Sequence, residues 1–240
     1  VSASFEEQGY AVFDNAFAPA VIEDLRRDAE RLRDDLLRRM IADQALDPRV
    51  TWWRLESGSP YLLKIKPVLA TAPAAATLAA DPFLTTTISG LLGSSVLLME
   101  DKFMYKQRLD VNADWANLPQ LGEEVCKHTD AAYFRARGYD RVITVAVCLD
   151  DCTADAGALM VWPGTHRRSL TMVDTERQGP VVADEDAPDE EAVILTATAG
   201  SVLAWDSGLV HASGPNTSGN PRRLFVLGYT GQDAAERCGF

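Results

Sequence analysis

The chain has 240 residues, 47% of them hydrophobic, enough to bury a core of enzyme size. Its 35 acidic residues outnumber 23 basic ones for a formal net charge of -12, and no basic run is clustered, so no nucleic-acid partner is expected. Four cysteines, Cys126, Cys148, Cys152 and Cys238, are too sparse for a disulfide scaffold and lack the second close pair of a structural zinc site.

No apolar run approaches the roughly 20 residues of a bilayer span, and no basic-then-apolar leader opens the sequence. The expectation is a cytoplasmic protein with reduced thiols and no membrane partner. From Pro19 to about Asp43, Ile22, Leu25, Ala29, Leu32, Leu36 and Met40 recur three or four apart, with Arg, Asp and Glu between them. This predicts an amphipathic helix packed on its own chain, with Pro19 in the first turn, where a missing N–H costs nothing. The aromatic-rich stretches 51–54 and 60–63 lack periodicity and read as loop or lid. Residues 73–92, rich in Ala and Leu and closed by Gly93, predict a second helical region.

After Gly93 the texture changes to short β-rich runs at 95–99, 102–107, 142–149, 158–162, 192–197, 201–205 and 224–229. The stretch 174–191 carries eight acidic residues with Pro180 and Pro188 and reads as a solvated loop. Helices followed by many short strands imply a mainly β sandwich or barrel with flanking helices. We expect one domain over 1–240, helical to about residue 93 and β from about 94 to 232.

Three histidines are present: His128, His166 and His211. His128-Thr129-Asp130 is an H-x-D pair in a predicted strand, where alternation would send both side chains to one face. A second imidazole from another strand would complete a 2-His-1-carboxylate facial triad, a donor set suited to non-haem Fe(II) because it leaves adjacent positions open. His211 ends a short apolar run beside the Gly214-Pro215 turn, and Arg222-Arg223 then enter another strand.

Taken in order, several segments resemble the phytanoyl-CoA dioxygenase (PhyH) family of Fe(II)/2-oxoglutarate oxygenases. They are Phe5-Glu6-Glu7-Gln8-Gly9-Tyr10-Ala11-Val12, His128-Thr129-Asp130, the run Gly157-Ala158-Leu159-Met160-Val161-Trp162-Pro163-Gly164-Thr165-His166, His211-Ala212-Ser213-Gly214-Pro215-Asn216, and an arginine eleven residues after His211. The resemblance implies a double-stranded β-helix, a cupin-like jelly roll with the metal inside one open end. It implies His128, Asp130 and His211 as metal ligands, and Arg222 as the fork that grips 2-oxoglutarate. Arg223 is the rival; strand neighbours face opposite sides, and the family spacing selects Arg222.

Ser213 is assigned a hydroxyl contact to the same carboxylate, a turn-stabilising role being the alternative. Lys102, Met104 and Lys106 alternate on one face, and of these Lys102 is assigned to the cosubstrate; two solvated lysines on an outer face are the alternative. His166 is expected to make a structural hydrogen bond. The segment 108–127, with Trp115, Pro119 and Gly122, is longer than the family's usual connection.

The implied chemistry uses Fe(II), 2-oxoglutarate and O2, releases succinate and CO2, and most simply hydroxylates an unactivated C–H bond of a small polar or anionic metabolite, as in natural-product biosynthesis. Desaturation, cyclisation and epimerisation remain open. Halogenation is disfavoured, because Asp130 fills the position a halide would take. Tyr133, Phe134, Arg137, Trp205 and Trp53 are candidate substrate-pocket residues. A cupin-like binding protein without turnover and a zinc hydrolase are the competing classes, and the latter leaves Arg222 unexplained.

Overall fold

The computed structural model describes residues 2–54, 60–106, 125–175 and 179–232. The chain opens with a short helix α1 (Ser2–Gln8) and strand β1 (Tyr10–Phe13), followed by the long helix α2 (Pro19–Asp43). Helix α2 buries Ile22, Leu25, Ala29, Leu32, Leu36 and Met40, the stripe set by their spacing. It also buries Asp28, whose Oδ2 accepts from the Ala74 N–H at 2.7 Å. Helix α3 (Pro73–Ala79) begins at Ala72, which has no side-chain cap of its own, so Asp28 supplies that acceptor from the neighbouring helix.

The single helical region expected over 73–92 is two helices, α3 and α4 (Pro82–Leu92). Pro82 explains the break: it lacks an N–H, its ring disfavours helical backbone at Asp81, and the Asp81 carboxylate then caps α4 through the Phe83 N–H. Helix α4 ends at Gly93 in the left-handed conformation.

The stretches read as loop or lid are also corrected. Strands β2 (Val50–Arg54) and β3 (Pro60–Ile65) form an antiparallel hairpin. β3 joins the main sheet beside β4 (Val96–Lys106), with Lys64 opposite Met104. Leu62, Leu63 and Ile65 are all buried, so the alternation that would mark a one-sided strand is absent from the sequence.

The remaining strands are β5 (Val125–His128), β6 (Val142–Cys148), β7 (Leu159–Val161), β8 (Met172–Thr175), β9 (Gly179–Val182), β10 (Val193–Leu195), β11 (Val202–Asp206), β12 (His211–Ser213) and β13 (Arg222–Gly231). A short helix α5 (Ala131–Arg135) follows β5. The major sheet runs β1-β11-β6-β13-β4-β3-β2 and the minor sheet β10-β7-β12-β5, every pairing antiparallel. Together they form the expected jelly roll.

Overlapping the start of the acidic stretch 174–191 expected to be a solvated loop, β8 and β9 pair as a separate two-stranded ribbon. β8 is largely exposed, in agreement with the composition, but Val182 of β9 is buried in a cluster with Trp162 and Ala187; the β-branched pairing of Val173 with Val181 is what the charge count obscured.

Strand alternation divides the major sheet's two faces. Val145, Val147, Phe225 and Leu227 pack with Leu25, Leu32, Leu78 and Ile88 of the helices. Ala146, Cys148, Leu224 and Val226 face the minor sheet, packing with Ala158, Val161 and Leu195. Both faces are covered, so β6 is buried throughout and reads as a continuous apolar run. Among the described residues no helix is long and apolar enough to cross a membrane.

The N-terminal segment is clamped to the Pro163-Gly164-Thr165-His166 turn. Gly164 N–H donates to the Gln8 carbonyl at 2.9 Å, and His166 Nε2 lies 3.2 Å from the Glu6 carbonyl, the structural role expected for that histidine. Gly9 has φ +83, and an added Cβ would sit 2.5 Å from His166 Nδ1. A Gly9→Ala variant is therefore expected to lose more than about 1 kcal/mol of stability, read as a lower urea midpoint with an unchanged slope.

Candidate metal centre

Strands β5 and β12 are neighbours, and their register sets His211 directly opposite His128, with ring centroids 4.2 Å apart. His128 Nδ1 lies 2.8 Å from the Cys126 carbonyl and His211 Nδ1 lies 3.0 Å from the Leu209 carbonyl. A carbonyl only accepts, so each Nδ1 donates its proton there, and Nε2 is the ring nitrogen left to turn toward Asp130. His128 Nε2 lies 3.8 Å from Asp130 Oδ1 and His211 Nε2 lies 3.8 Å from Asp130 Oδ2. Among the described residues these three side chains form a cluster that can hold a metal ion, with donor atoms all within 4.8 Å of one another.

The carboxylate reaches this centre by a route other than the expected pleat. Strand β5 ends at His128, and Asp130 is the residue preceding α5, in helical backbone conformation. A turn, not strand alternation, converges the pair. The Thr144 hydroxyl donates to Asp130 Oδ2 at 3.0 Å and fixes the carboxylate. Burial opposes charge on Asp130, but His211, His128, Lys102 and Thr144 outweigh it and hold the carboxyl below its ordinary range. His211 is pushed down to about 4, chiefly by burial and then by His128, so its imidazole is neutral at neutral pH. A neutral His211 imidazole beside an ionised carboxylate matches the protonation states that metal ligation requires.

A sequence profile of the phytanoyl-CoA dioxygenase (PhyH) family matches residues 5–224. The chain belongs to that family. An ectoine dioxygenase of Sphingopyxis alaskensis is 28% identical over 249 residues, covering 95% of this chain and 74% of the relative. The crystal structure of EctD from S. alaskensis with 2-oxoglutarate and 5-hydroxyectoine superposes with a TM-score of 0.75 at 27% identity, covering 97% of this chain and 76% of that one. AviO1 from Streptomyces viridochromogenes Tue57 shares the fold, with a TM-score of 0.71 at 24% identity and coverage of 96% and 93%. This PhyH-family chain is an Fe(II)/2-oxoglutarate-dependent oxygenase.

The residues present fit both groups. The two imidazoles and one carboxylate are an N,N,O donor set suited to Fe(II). For the keto acid, Arg222 and Arg223 part as strand geometry requires. Arg223 points to the helix side, where its Nε and Nη2 donate to the two oxygens of Asp150 at 2.8 Å each and its Nη1 reaches Glu30 at 2.6 Å. Arg222 is buried on the other face; its Nη2 donates to the Gly157 carbonyl, its Nε has no partner, and no carboxylate among the described residues pairs with it. A buried guanidinium with an idle N–H is a cradle for a carboxylate that arrives with a ligand.

At this end the structure places Lys106, where Lys102 was expected. Lys106 lies opposite Arg222 in the β4–β13 register, is buried, and donates from Nζ to Ser213 Oγ at 2.8 Å. Lys102, on the same face, is ion-paired instead with Glu100 at 2.7 Å. Asn216 braces the corner, donating to the Lys106 and Asn220 carbonyls at 2.8 Å each. The Lys102-Met104-Lys106 alternation was the signal for Lys106; spacing alone could not rank two lysines on one face.

The expected pocket residues divide. Tyr133 is exposed one helical turn from Asp130, and its hydroxyl lies 3.1 Å from Arg137 Nη1. The Trp205 ring lies 5.4 Å from His211, with its buried Nε1 unpartnered among the described residues. Phe134 does not line a pocket: it is buried with Tyr139 and Val142, because the side of α5 opposite Tyr133 must cover the sheet. The Trp53 side chain, and the segment 107–124 that contains Trp115, Pro119 and Gly122, lie outside the described residues, as does Cys238. Glu100, Lys64 and Lys66 escaped the sequence reading altogether; they become visible as a group only through the pairing of β3 with β4.

Proposed function

We propose that this oxygenase hydroxylates an unactivated C–H bond of a small polar metabolite, in the cytoplasm, with conversion of 2-oxoglutarate to succinate and CO2. The observation that carries the reading is one inner surface with the His128, Asp130 and His211 donors on one part and the unsatisfied Arg222 on another. The relative whose structure is described with 5-hydroxyectoine is named for a dioxygenase reaction, which supports hydroxylation over desaturation, cyclisation or epimerisation.

When bound, Fe(II) and 2-oxoglutarate supply the activation of oxygen and the oxidising equivalents. The chain's residues do the rest. His128 and His211, their Nδ1 protons held by carbonyls, keep Nε2 toward the centre. Thr144 keeps the Asp130 carboxylate in place, where it would serve as the third protein ligand of the metal. Arg222 pairs with the far carboxylate of the keto acid, while Lys106 adds charge and orients the Ser213 hydroxyl. Trp205 covers His211 and limits water at the ligands.

Protein reconstituted with Fe(II) under anaerobic conditions is expected to bind one equivalent of 2-oxoglutarate and, on admission of oxygen, to form succinate slowly without added substrate. Absence of both keto-acid binding and succinate would overturn the reading. In Lys106→Met, 2-oxoglutarate should dissociate about tenfold more readily, the loss of one charged hydrogen bond. Titration of the anaerobic Fe(II) protein measures this directly.

A further inference from the structure

Next to the proposed metal centre, this acidic chain concentrates positive charge. Strands β3 and β4 pair with Lys64 opposite Met104, so positions 64 and 66 share a face with 100, 102, 104 and 106. That face looks toward the minor sheet, since Met104 packs with Leu224 and Val226 there. Glu100 is the one carboxylate at the hub of the group. It is buried, and Lys66 Nζ approaches it at 2.5 Å, Lys102 Nζ at 2.7 Å and Arg137 Nη1 at 3.4 Å.

The Lys64 ammonium makes no hydrogen bond or ion pair among the described residues. Burial lowers its ammonium pKa, and the Lys102 and Lys66 charges lower it further, more than Glu100 and Asp130 restore it. Among the described residues Glu100 is thus paired with three cations, Lys64 is a fourth beside them, and Asp130 is the other carboxylate whose charge reaches Lys64.

Tyr133 ties this group to the metal centre. It lies in the helix that Asp130 precedes, accepts a 2.8 Å hydrogen bond from Lys66 and stacks under Arg137, whose guanidinium lies 5.3 Å from the ring centre. The charge is partly desolvated: side-chain exposure is 21% for Lys102, 32% for Lys66 and 38% for Arg137. Partly buried cations in excess of their protein counterions lose solvation without full compensation, and an oxyanion restores it. Arg222 and Lys106 lie further along β4 and β13 and leave this group to a different ligand.

We propose that the substrate of this oxygenase is a small molecule bearing a carboxylate, phosphate or sulfate group, held by Lys64, Lys66, Lys102 and Arg137 while its oxidisable carbon faces the metal. The proposal rests on the oxygenase reading above and narrows its substrate to anions other than 2-oxoglutarate.

The test uses protein loaded with Mn(II) and 2-oxoglutarate, titrated with sulfate by calorimetry at an ionic strength held constant with sodium chloride. Saturable sulfate binding is expected in the loaded wild type, at least tenfold weaker in Lys64→Met/Lys102→Met and at least threefold weaker in Arg137→Met. The exposed Arg137 position keeps the test decisive if the double variant does not fold. The dissociation constant of 2-oxoglutarate in Arg137→Met should stay within twofold of wild type. No saturable sulfate binding, equal affinity in Arg137→Met, or sulfate displaced by 2-oxoglutarate would each overturn the assignment. If the wild type fails to bind 2-oxoglutarate at all, the oxygenase reading itself falls and takes the substrate class with it; binding of 2-oxoglutarate without sulfate removes only the latter.

Discussion

Arg222→Ala is expected to weaken 2-oxoglutarate binding by about two to three orders of magnitude, the usual effect of deleting one member of a buried, hydrogen-bonded charge pair. The expectation follows from the burial of Arg222 and from an Nε with nothing to donate to in the protein itself. Arg222→Lys should recover little, because an ammonium restores charge but not the planar fork. Arg223→Ala is the internal control. Arg223 is as buried as Arg222 but is spent on Asp150 and Glu30, linking β13 to the loop after β6 and to α2. Its removal leaves Asp150 short of its partner and should cost stability of about 3 kcal/mol with 2-oxoglutarate affinity intact. Equal keto-acid affinity in Arg222→Ala and wild type, by anaerobic titration of the Fe(II) protein, would remove the cosubstrate assignment.

That the two arginines divide in this way was legible from the sequence, because alternation in a strand is a local rule that tertiary packing does not override. The α2 stripe and the His211 segment were legible for the same reason. What failed had non-local causes. The aromatic stretches 51–54 and 60–63 looked structureless because β3 is buried on both faces and joins the main sheet through β4, well beyond it in sequence. Asp130 was expected on a strand with His128, yet the strand stops at His128 once the chain turns into α5, where Ala131 and Phe134 find buried positions. Lys102 and Lys106 share a face and a residue type; only the register with β13 sets one against Arg222 and the other near Val226. The cationic group around Glu100 draws on β3, β4 and the segment following α5, separated by up to 73 positions in sequence, and no periodicity could assemble it.

Metal binding should be visible as stability, and that effect should vanish in His211→Ala. Without an ion, two imidazoles and a carboxylate are held with donor atoms within 4.8 Å of one another, in a site where burial has already driven His211 neutral. A divalent ion binds this folded arrangement and not the unfolded chain, in which residues 128 and 211 are far apart in sequence. At a hundredfold excess over its dissociation constant such a ligand contributes about 2.7 kcal/mol to stability. For a chain of 240 residues that corresponds to a rise in Tm of about 5–10 °C. Mn(II) should give this rise in the wild type and EDTA should reverse it. In His211→Ala the ring is lost both as a ligand and as a packing partner of Trp205 at 5.4 Å, so the metal-free variant should melt lower and gain nothing on addition of Mn(II). A Mn(II)-induced rise of wild-type size in His211→Ala would show that the stabilising ion sits elsewhere and that His211 is not a ligand.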